Sequence, residues 1–210
     1  MAYAAYHSRA MPAPTLLVPR SEFSIEDPWR VPPQCVPAPL WRATDERAPR
    51  LSTTIAVYHD DDFLTVLFRC EDDEIVATMY DHDAPLWRED VVEVFLASPH
   101  AEAYYELELN PLGTTFDARI ESPDGVRATM HADLSWTCDG LFFAIRREGA
   151  VVDHVLRIPF AALGGRPGRA NFFRVDRSRT HGDEYSAWSP TMKEPADFHV
   201  MAAFGTLVYE

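Results

Sequence analysis

Leu86-Trp87-Arg88-Glu89-Asp90-Val91-Val92-Glu93-Val94-Phe95-Leu96 carries a turn into a strand. It follows Asp81-His82-Asp83-Ala84-Pro85, a run of turn formers, and from Val92 onward an apolar side chain falls at every second position. Successive residues of a strand point to opposite faces, so Val92, Val94 and Leu96 form one wholly apolar face while Val91, Glu93 and Phe95 form the other. The first set is read as core, which displays Glu93 away from it. The same period returns in 103–110, with Tyr105, Leu107 and Leu109 inward and Tyr104, Glu106, Glu108 and Asn110 outward. In 153–160 the apolar set His154, Leu156 and Ile158 opposes Val155 and Arg157; in 171–178 Phe173 and Val175 oppose Arg174 and Asp176. The expectation is one polar sheet face gathering Glu93, Glu106, Glu108, Arg157, Arg174 and Asp176, either as a solvated surface or as a binding face.

Further out, short runs rich in Val, Ile, Phe, Tyr and Thr alternate with Asp, Gly and Pro clusters. They predict strands at 52–58, 63–70, 91–97, 103–110, 114–121, 133–138, 141–149, 153–160, 171–178 and 204–209. This is the spacing of an all-β, two-sheet antiparallel β-sandwich of about ten strands. Helix is limited to one turn at Phe160-Ala161-Ala162-Leu163, closed by Gly164-Gly165. Prolines at 12, 14, 19, 28, 32, 33, 37, 39 and 49 exclude long helices from the first 50 residues. Residues 1–50 are therefore expected to form an extended arm packed on a sandwich of residues 51–210, the whole chain being one domain.

With 210 residues, 47% of them hydrophobic, the chain can bury a core without disulfides. A net charge of −14 opposes association with a phosphate backbone or an anionic membrane, so neither is expected as a partner. No run approaches the roughly 18 apolar residues of a membrane span. The first residues lack a basic segment followed by an apolar one, which as written suits a cytoplasmic protein, or a secreted or periplasmic one whose signal is missing. Cys35, Cys70 and Cys138 are odd in number and widely spaced, and are expected to be free thiols.

Two tryptophans lie in irregular segments: Trp87, and Trp188 within Tyr185-Ser186-Ala187-Trp188-Ser189-Pro190. An aromatic platform beside planar hydrogen-bonding groups is the combination that holds sugars, which present hydroxyls and flat C–H patches. The tract around Trp87, together with Phe63-Leu64-Thr65-Val66-Leu67-Phe68-Arg69-Cys70-Glu71-Asp72 and Tyr104-Tyr105-Glu106-Leu107-Glu108-Leu109-Asn110-Pro111-Leu112-Gly113, resembles the family-9 carbohydrate-binding modules. The resemblance continues through Asn171-Phe172-Phe173-Arg174-Val175-Asp176-Arg177, the segment from Glu184 to Thr191, Asp197-Phe198-His199 and Phe204-Gly205-Thr206-Leu207, covering about residues 50 to 210.

That resemblance implies a sandwich that binds a mono- or oligosaccharide without cleaving it. Two tryptophans, matched by Trp87 and Trp188, would clamp a sugar ring, and a carboxylate matched by Glu93 would bind its hydroxyls. Sugar binders of the family place an arginine two residues before the asparagine matched by Asn110, where this chain has Glu108. The asparagine ahead of the second tryptophan is replaced by Tyr185. Arg174 and Arg157 are the candidates to replace the lost hydrogen bonds, so the expected ligand-binding set is Trp87, Glu93, Trp188, Glu108, Asn110 and Arg174. The resemblance also implies structural calcium ions, for which Asp60, Asp62, Asp72, Asp81 and Asp83 in acidic loops are the candidate ligands.

Three other readings stay open on the residues alone. The sandwich could serve as a structural or protein-interaction domain in which the tryptophans cap the core. It could be a glycosidase using Asp90 and Glu93, or Glu106 and Glu108. It could hold haem through Met79, Met130, His131 or His199. Nothing matches a nucleophile elbow, a zinc-protease helix or a phosphate loop.

Overall fold

The computed structural model describes residues 13–98, 102–122 and 127–210; the first twelve residues of the expected arm, Pro12 included, lie outside them. Fourteen strands follow in chain order. The arm contributes β1 (Thr15–Val18), β2 (Ala38–Pro39) and β3 (Trp41–Arg42). Then come β4 (Thr53–His59), β5 (Phe63–Glu71), β6 (Val91–Ala97), β7 (Ala103–Leu109), β8 (Thr115–Glu121) and β9 (His131–Asp133). The last third supplies β10 (Phe142–Glu148), β11 (Val151–Pro159), β12 (Arg169–Asp176), β13 (Glu184–Ala187) and β14 (Gly205–Tyr209).

They form two sheets. The nine-stranded sheet runs β1-β14-β12-β6-β7-β8-β9, with β13 paired to β12 and β3 to β13; the five-stranded sheet runs β10-β11-β5-β4-β2. Among the named strands only β1 and β14 pair in parallel. The expected sandwich is thus the observed one. The strand expected at 133–138 is replaced by the short β9, and Phe160–Gly164 is a series of hydrogen-bonded turns rather than a helix. The short strands β1, β2, β3 and β13 lacked a run long enough for alternation to show.

The core lies between the sheets. Val92, Val94 and Leu96 of β6 and Leu107 and Leu109 of β7 meet Ile55, Val57, Leu64, Val66, Phe68, Leu156 and Ile158 of the smaller sheet, all buried. Each such side chain contributes about 1.5–3 kcal/mol by leaving water, an upper range because unfolded chains are partly collapsed. His154 shares this face, fully enclosed with neither ring nitrogen hydrogen-bonded, and burial together with the Arg174 charge pushes its pKa down to about 3.

Both outer faces are also covered in part. On the small sheet, Phe23, Trp29 and Cys35 of the arm pack on Ala56, Tyr58, Leu67 and Val155. There Arg157 lies 3.5 Å over the Phe63 ring and reaches Asp60 at 2.6 Å. On the large sheet, Val91, Phe95, Tyr104, Phe116, Phe173 and Val175 are overlain by Leu86 and by Phe198 and Phe204. That second covering leaves a pocket. No helix of the described residues is long and apolar enough to cross a membrane.

Candidate functional site

A pocket of about 810 Å³ opens on the outer face of the nine-stranded sheet. Its floor is β6, β7, β8 and the end of β12; its walls are the 3-10 turn Leu86–Arg88 on one side and the segment from Lys193 to His199 on another. Glu93 and Glu106 reach it because they occupy outward positions of β6 and β7, as alternation requires. Trp87 stands at its mouth, 43% exposed, its ring edge-on to Phe116 at 5.4 Å. The turn that carries it is fixed from below. Asp90, buried, accepts the amides of Val76 at 2.5 Å and Arg177 at 2.7 Å, and Glu89 accepts those of Thr78 and Met79.

Tyr185 provides a second aromatic wall, held by Arg177. One Arg177 Nη donates to the Tyr185 hydroxyl at 2.6 Å and to Asp183, the other to the Trp87 carbonyl at 2.7 Å, and the guanidinium lies 5.3 Å from the Tyr185 ring centre. One cation thus joins the two aromatic walls. At the opposite rim Arg127 pairs with Asp197 at 2.6 Å, and His199 meets the Tyr104 hydroxyl at 2.6 Å. Burial, with the Arg127 charge, pushes the His199 pKa down to about 4, so its ring is neutral near pH 7.

Three carboxylates meet under this pocket. Glu93 and Glu108 are direct partners across β6 and β7, and Glu106 is the next outward residue of β7. One oxygen from each lies within 4.8 Å of the others, and all three residues are buried. Glu93 Oε1 and both Glu108 oxygens have no hydrogen-bond partner of sound geometry. Burial pushes Glu93 well above the usual carboxylate range, with the Glu106 charge adding and Arg177 opposing. Burial raises Glu108 likewise, then the charges of Glu93 and Glu106. Glu106 rises to about 7, burial again leading, with Glu108 and Arg127 opposing. Carboxyls so poised act as hydrogen-bond donors as well as acceptors toward hydroxyls.

Several expected site residues stand elsewhere. Trp188 is not the second clamp: its ring is 6% exposed in the core between the sheets, packed on Phe172 at 5.6 Å and against Gly205. Trp87 belongs to the opposite face of the same sheet. Arg174 points inward too, bonded to Thr53 Oγ1, the Glu71 carbonyl, Asp72 and Asp176, so it replaces no sugar contact. Arg157 fails for a different reason, since it sits on the outer face of the other sheet. The Asn110 side chain is spent on two loops, donating to the Met79 carbonyl and accepting from the amides of Leu112 and Thr114. Glu108 lies beneath the pocket rather than on its surface. Glu93 and Trp87 are the members of the expected set that line it.

The acidic loops offer little to calcium. Asp60 is spent on the amides of Asp62 and Phe63 and on Arg157; Asp72 on the Glu74 amide and Arg174. Asp62 and Asp81 are exposed and belong to no metal-capable group among the described residues. Asp83 joins His82 and Asp117, a mixed set short of the six to eight oxygens calcium takes.

Tyr185 stands at a family hydrogen-bonding position but was not expected as an aromatic wall, and Arg177 and the segment 193–199 carry part of the family resemblance without having been named as site residues. Their signal was slight: Arg177 directly follows the alternating residues of β12, and 193–199 has no periodicity at all.

An open pocket with aromatic walls and a carboxylate floor, carried on one sheet of a sandwich, has the concave form of a small-ligand site. The model of carbohydrate-binding family 9 matches residues 26–134, and the chain belongs to that family. An extracellular protein of Arthroderma benhamiae is 26% identical over 189 residues, covering 80% of this chain and 83% of its own. A candidate carbohydrate-binding protein from Bacteroides uniformis superposes with a TM-score of 0.74 at 16% identity, covering 94% of this chain and 99% of that one. A family 9 module from Caldicellulosiruptor kristjanssonii, in complex with cellotriose, does so with 0.64 at 13% identity, covering 93% of each chain. At those identities the structures speak for the fold.

Proposed function

We propose that the protein binds saccharide, without cleaving it, in the pocket beside Trp87. The observation that carries this is the half-exposed Trp87 ring at the mouth of a pocket floored by Glu93 and Glu106 in a family 9 chain. Trp87 offers a flat face to a sugar's C–H patch, and Tyr185, across the Arg177 bridge, takes the place of the second aromatic wall. Glu93 and Glu106 accept and donate hydrogen bonds to hydroxyls, and Arg127 and Lys193 at the rim donate to those further out. The complex of a family 9 module with cellotriose supports a glucan-like ligand.

The arrangement of the carboxylates supports binding without hydrolysis. Glycosidases set their two carboxyls about 5–5.5 Å apart or wider, with the scissile bond between them. Here one oxygen from each of Glu93, Glu106 and Glu108 lies within 4.8 Å of the others and Glu108 is wholly enclosed, which favours binding over cleavage.

The test is titration of glucose, cello-oligosaccharides and a panel of plant and microbial glycans, followed by calorimetry and tryptophan fluorescence. Micromolar to millimolar binding is expected, since a small polar ligand must be desolvated for few contacts. Trp87→Ala should weaken it at least tenfold. Silence across the panel, or unchanged affinity in Trp87→Ala, refutes the reading; turnover of chromogenic glycosides refutes the non-catalytic part.

A further inference from the structure

We propose that Glu93, Glu106 and Glu108 form a binding site for one divalent, oxygen-preferring cation, calcium foremost, at the base of the pocket. The site stands on geometry and does not depend on the saccharide reading. Donors on one calcium ion lie 2.3–2.6 Å from it, so two of them can be no more than about 5 Å apart. The three Glu oxygens lie within 4.8 Å of one another. They come from adjacent strands in fixed register, Glu93 opposite Glu108, so the cage is built by the sheet rather than by a flexible loop.

The independent sign of a ligand is Glu108. It has no exposed surface, and neither of its oxygens has a hydrogen-bond partner of sound geometry, the Glu106 carboxyl and the Trp87 amide being its polar neighbours; Glu93, 2% exposed, leaves Oε1 without a partner too. Unpartnered carboxylate oxygens are expensive to bury, and side chains aimed at one another across adjacent strands are doubly so. The guanidiniums closest in influence donate no hydrogen bond to these unpartnered oxygens. Arg177 is held by Asp183, Tyr185 and the Trp87 carbonyl, and Arg127 by Asp197.

The surroundings fit a built site. Val91, Phe95, Phe116 and Val175 flank the trio on the same sheet face and belong to one apolar cluster, and a low-dielectric setting strengthens attraction for an ion that has shed part of its water. Three carboxylates supply three to six oxygens. The remaining positions open toward the pocket, where water or the hydroxyls of a polyol are ligands of the same hard class. By contrast, His82, Asp83 and Asp117 bring two carboxylates and an imidazole, with His82 and Asp83 exposed.

The experiment uses the full chain purified in EDTA and dialysed free of it. Calcium, magnesium and manganese chlorides are titrated by calorimetry and thermal unfolding is followed in parallel. One ion per chain is expected, with Tm rising by roughly 5–11 °C at a hundredfold excess over Kd. Glu108→Gln should weaken binding at least tenfold while the ion-free protein melts close to wild type, because an amide of nearly the same shape replaces a carboxyl that burial already disfavours as an anion. Glu93→Gln, on the other strand, should do the same, which keeps the result readable if one variant folds poorly. Asp83→Asn should leave the affinity unchanged. The proposal is overturned if none of the three ions binds, if neither Glu→Gln change weakens binding, or if Asp83→Asn alone abolishes it.

Discussion

Replacing Trp188 by alanine separates a core tryptophan from a ligand platform. Its ring is almost wholly buried among Phe172 and the β14 backbone, and Gly205 is glycine there because a Cβ would overlap two Trp188 ring carbons and the Pro14 carbonyl. The loss should therefore fall in the range of large aromatic truncations, about 3–5 kcal/mol. For a chain of this size each kcal/mol moves Tm by about 2–4 °C, so a fall of roughly 6–20 °C is expected. Trp87→Ala gives up an edge contact with Phe116 and a half-exposed ring, about 1 kcal/mol. Thermal and urea melts read the stabilities; saccharide titration well below Tm reads the binding. The expected pattern is crossed, Trp188→Ala unstable with affinity within about threefold of wild type and Trp87→Ala stable with affinity lost. A Trp188→Ala protein that melts within 3 °C of wild type (about 1 kcal/mol) yet no longer binds would refute the placement of that ring.

Gly205→Ala should destabilise by about 1–3 kcal/mol through overpacking, and Trp188→Leu in the same chain should restore only part of it, since the Pro14 carbonyl still obstructs; a double-mutant cycle in urea checks this. Arg174→Met should cost about 3–5 kcal/mol by stranding Asp72 and Asp176, both buried, and a loss below 1 kcal/mol would mean the pair is dispensable. His154 is neutral in the fold, with a pKa near 3, whereas in the unfolded chain it takes up a proton below about 6.5. Its contribution to stability is thus intact above 6.5 and lost as pH falls from there toward 3. His154→Leu removes that loss, so its stability relative to wild type should grow by about 2–3 kcal/mol between pH 7.5 and 4.5; a flat difference would show that His154 is not buried neutral.

What could be read from sequence depended on the length of alternation. Val92, Val94 and Leu96 and their partners Leu107 and Leu109 were assigned to the core correctly, and Glu93, Glu106 and Glu108 to the opposite face. Alternation separates the two faces of a strand but does not say which face meets the core when both carry apolar residues, as Phe172 and Phe173 do, nor which sheet the strand joins. Hence Arg157, outward on the other sheet, and Arg174, inward on the same one, were both grouped with Glu93. Trp188 failed differently. It lies one residue past β13, where no period is established, and only the close approach of Gly205 and Phe172 makes it core. Asn110 matched a family position, yet its side chain is used by the Met79 carbonyl and by the turn at Gly113, whose φ of 85° needs glycine.

The pairing of β1 with β14 has a kinetic consequence. Leu16 stands beside Leu207, so the sheet that carries the pocket is closed by residues about 190 positions apart in the chain. The segment from Lys193 to His199 that walls the pocket lies only a few residues before that final strand. Contacts of such long sequence separation form late, because the loop-closure entropy must be met before they return anything. Refolding should then show the small sheet protected early and the ligand site last, with binding competence recovering no faster than the slowest phase. A nascent or partly unfolded chain would carry a nearly complete sandwich that cannot yet hold a ligand.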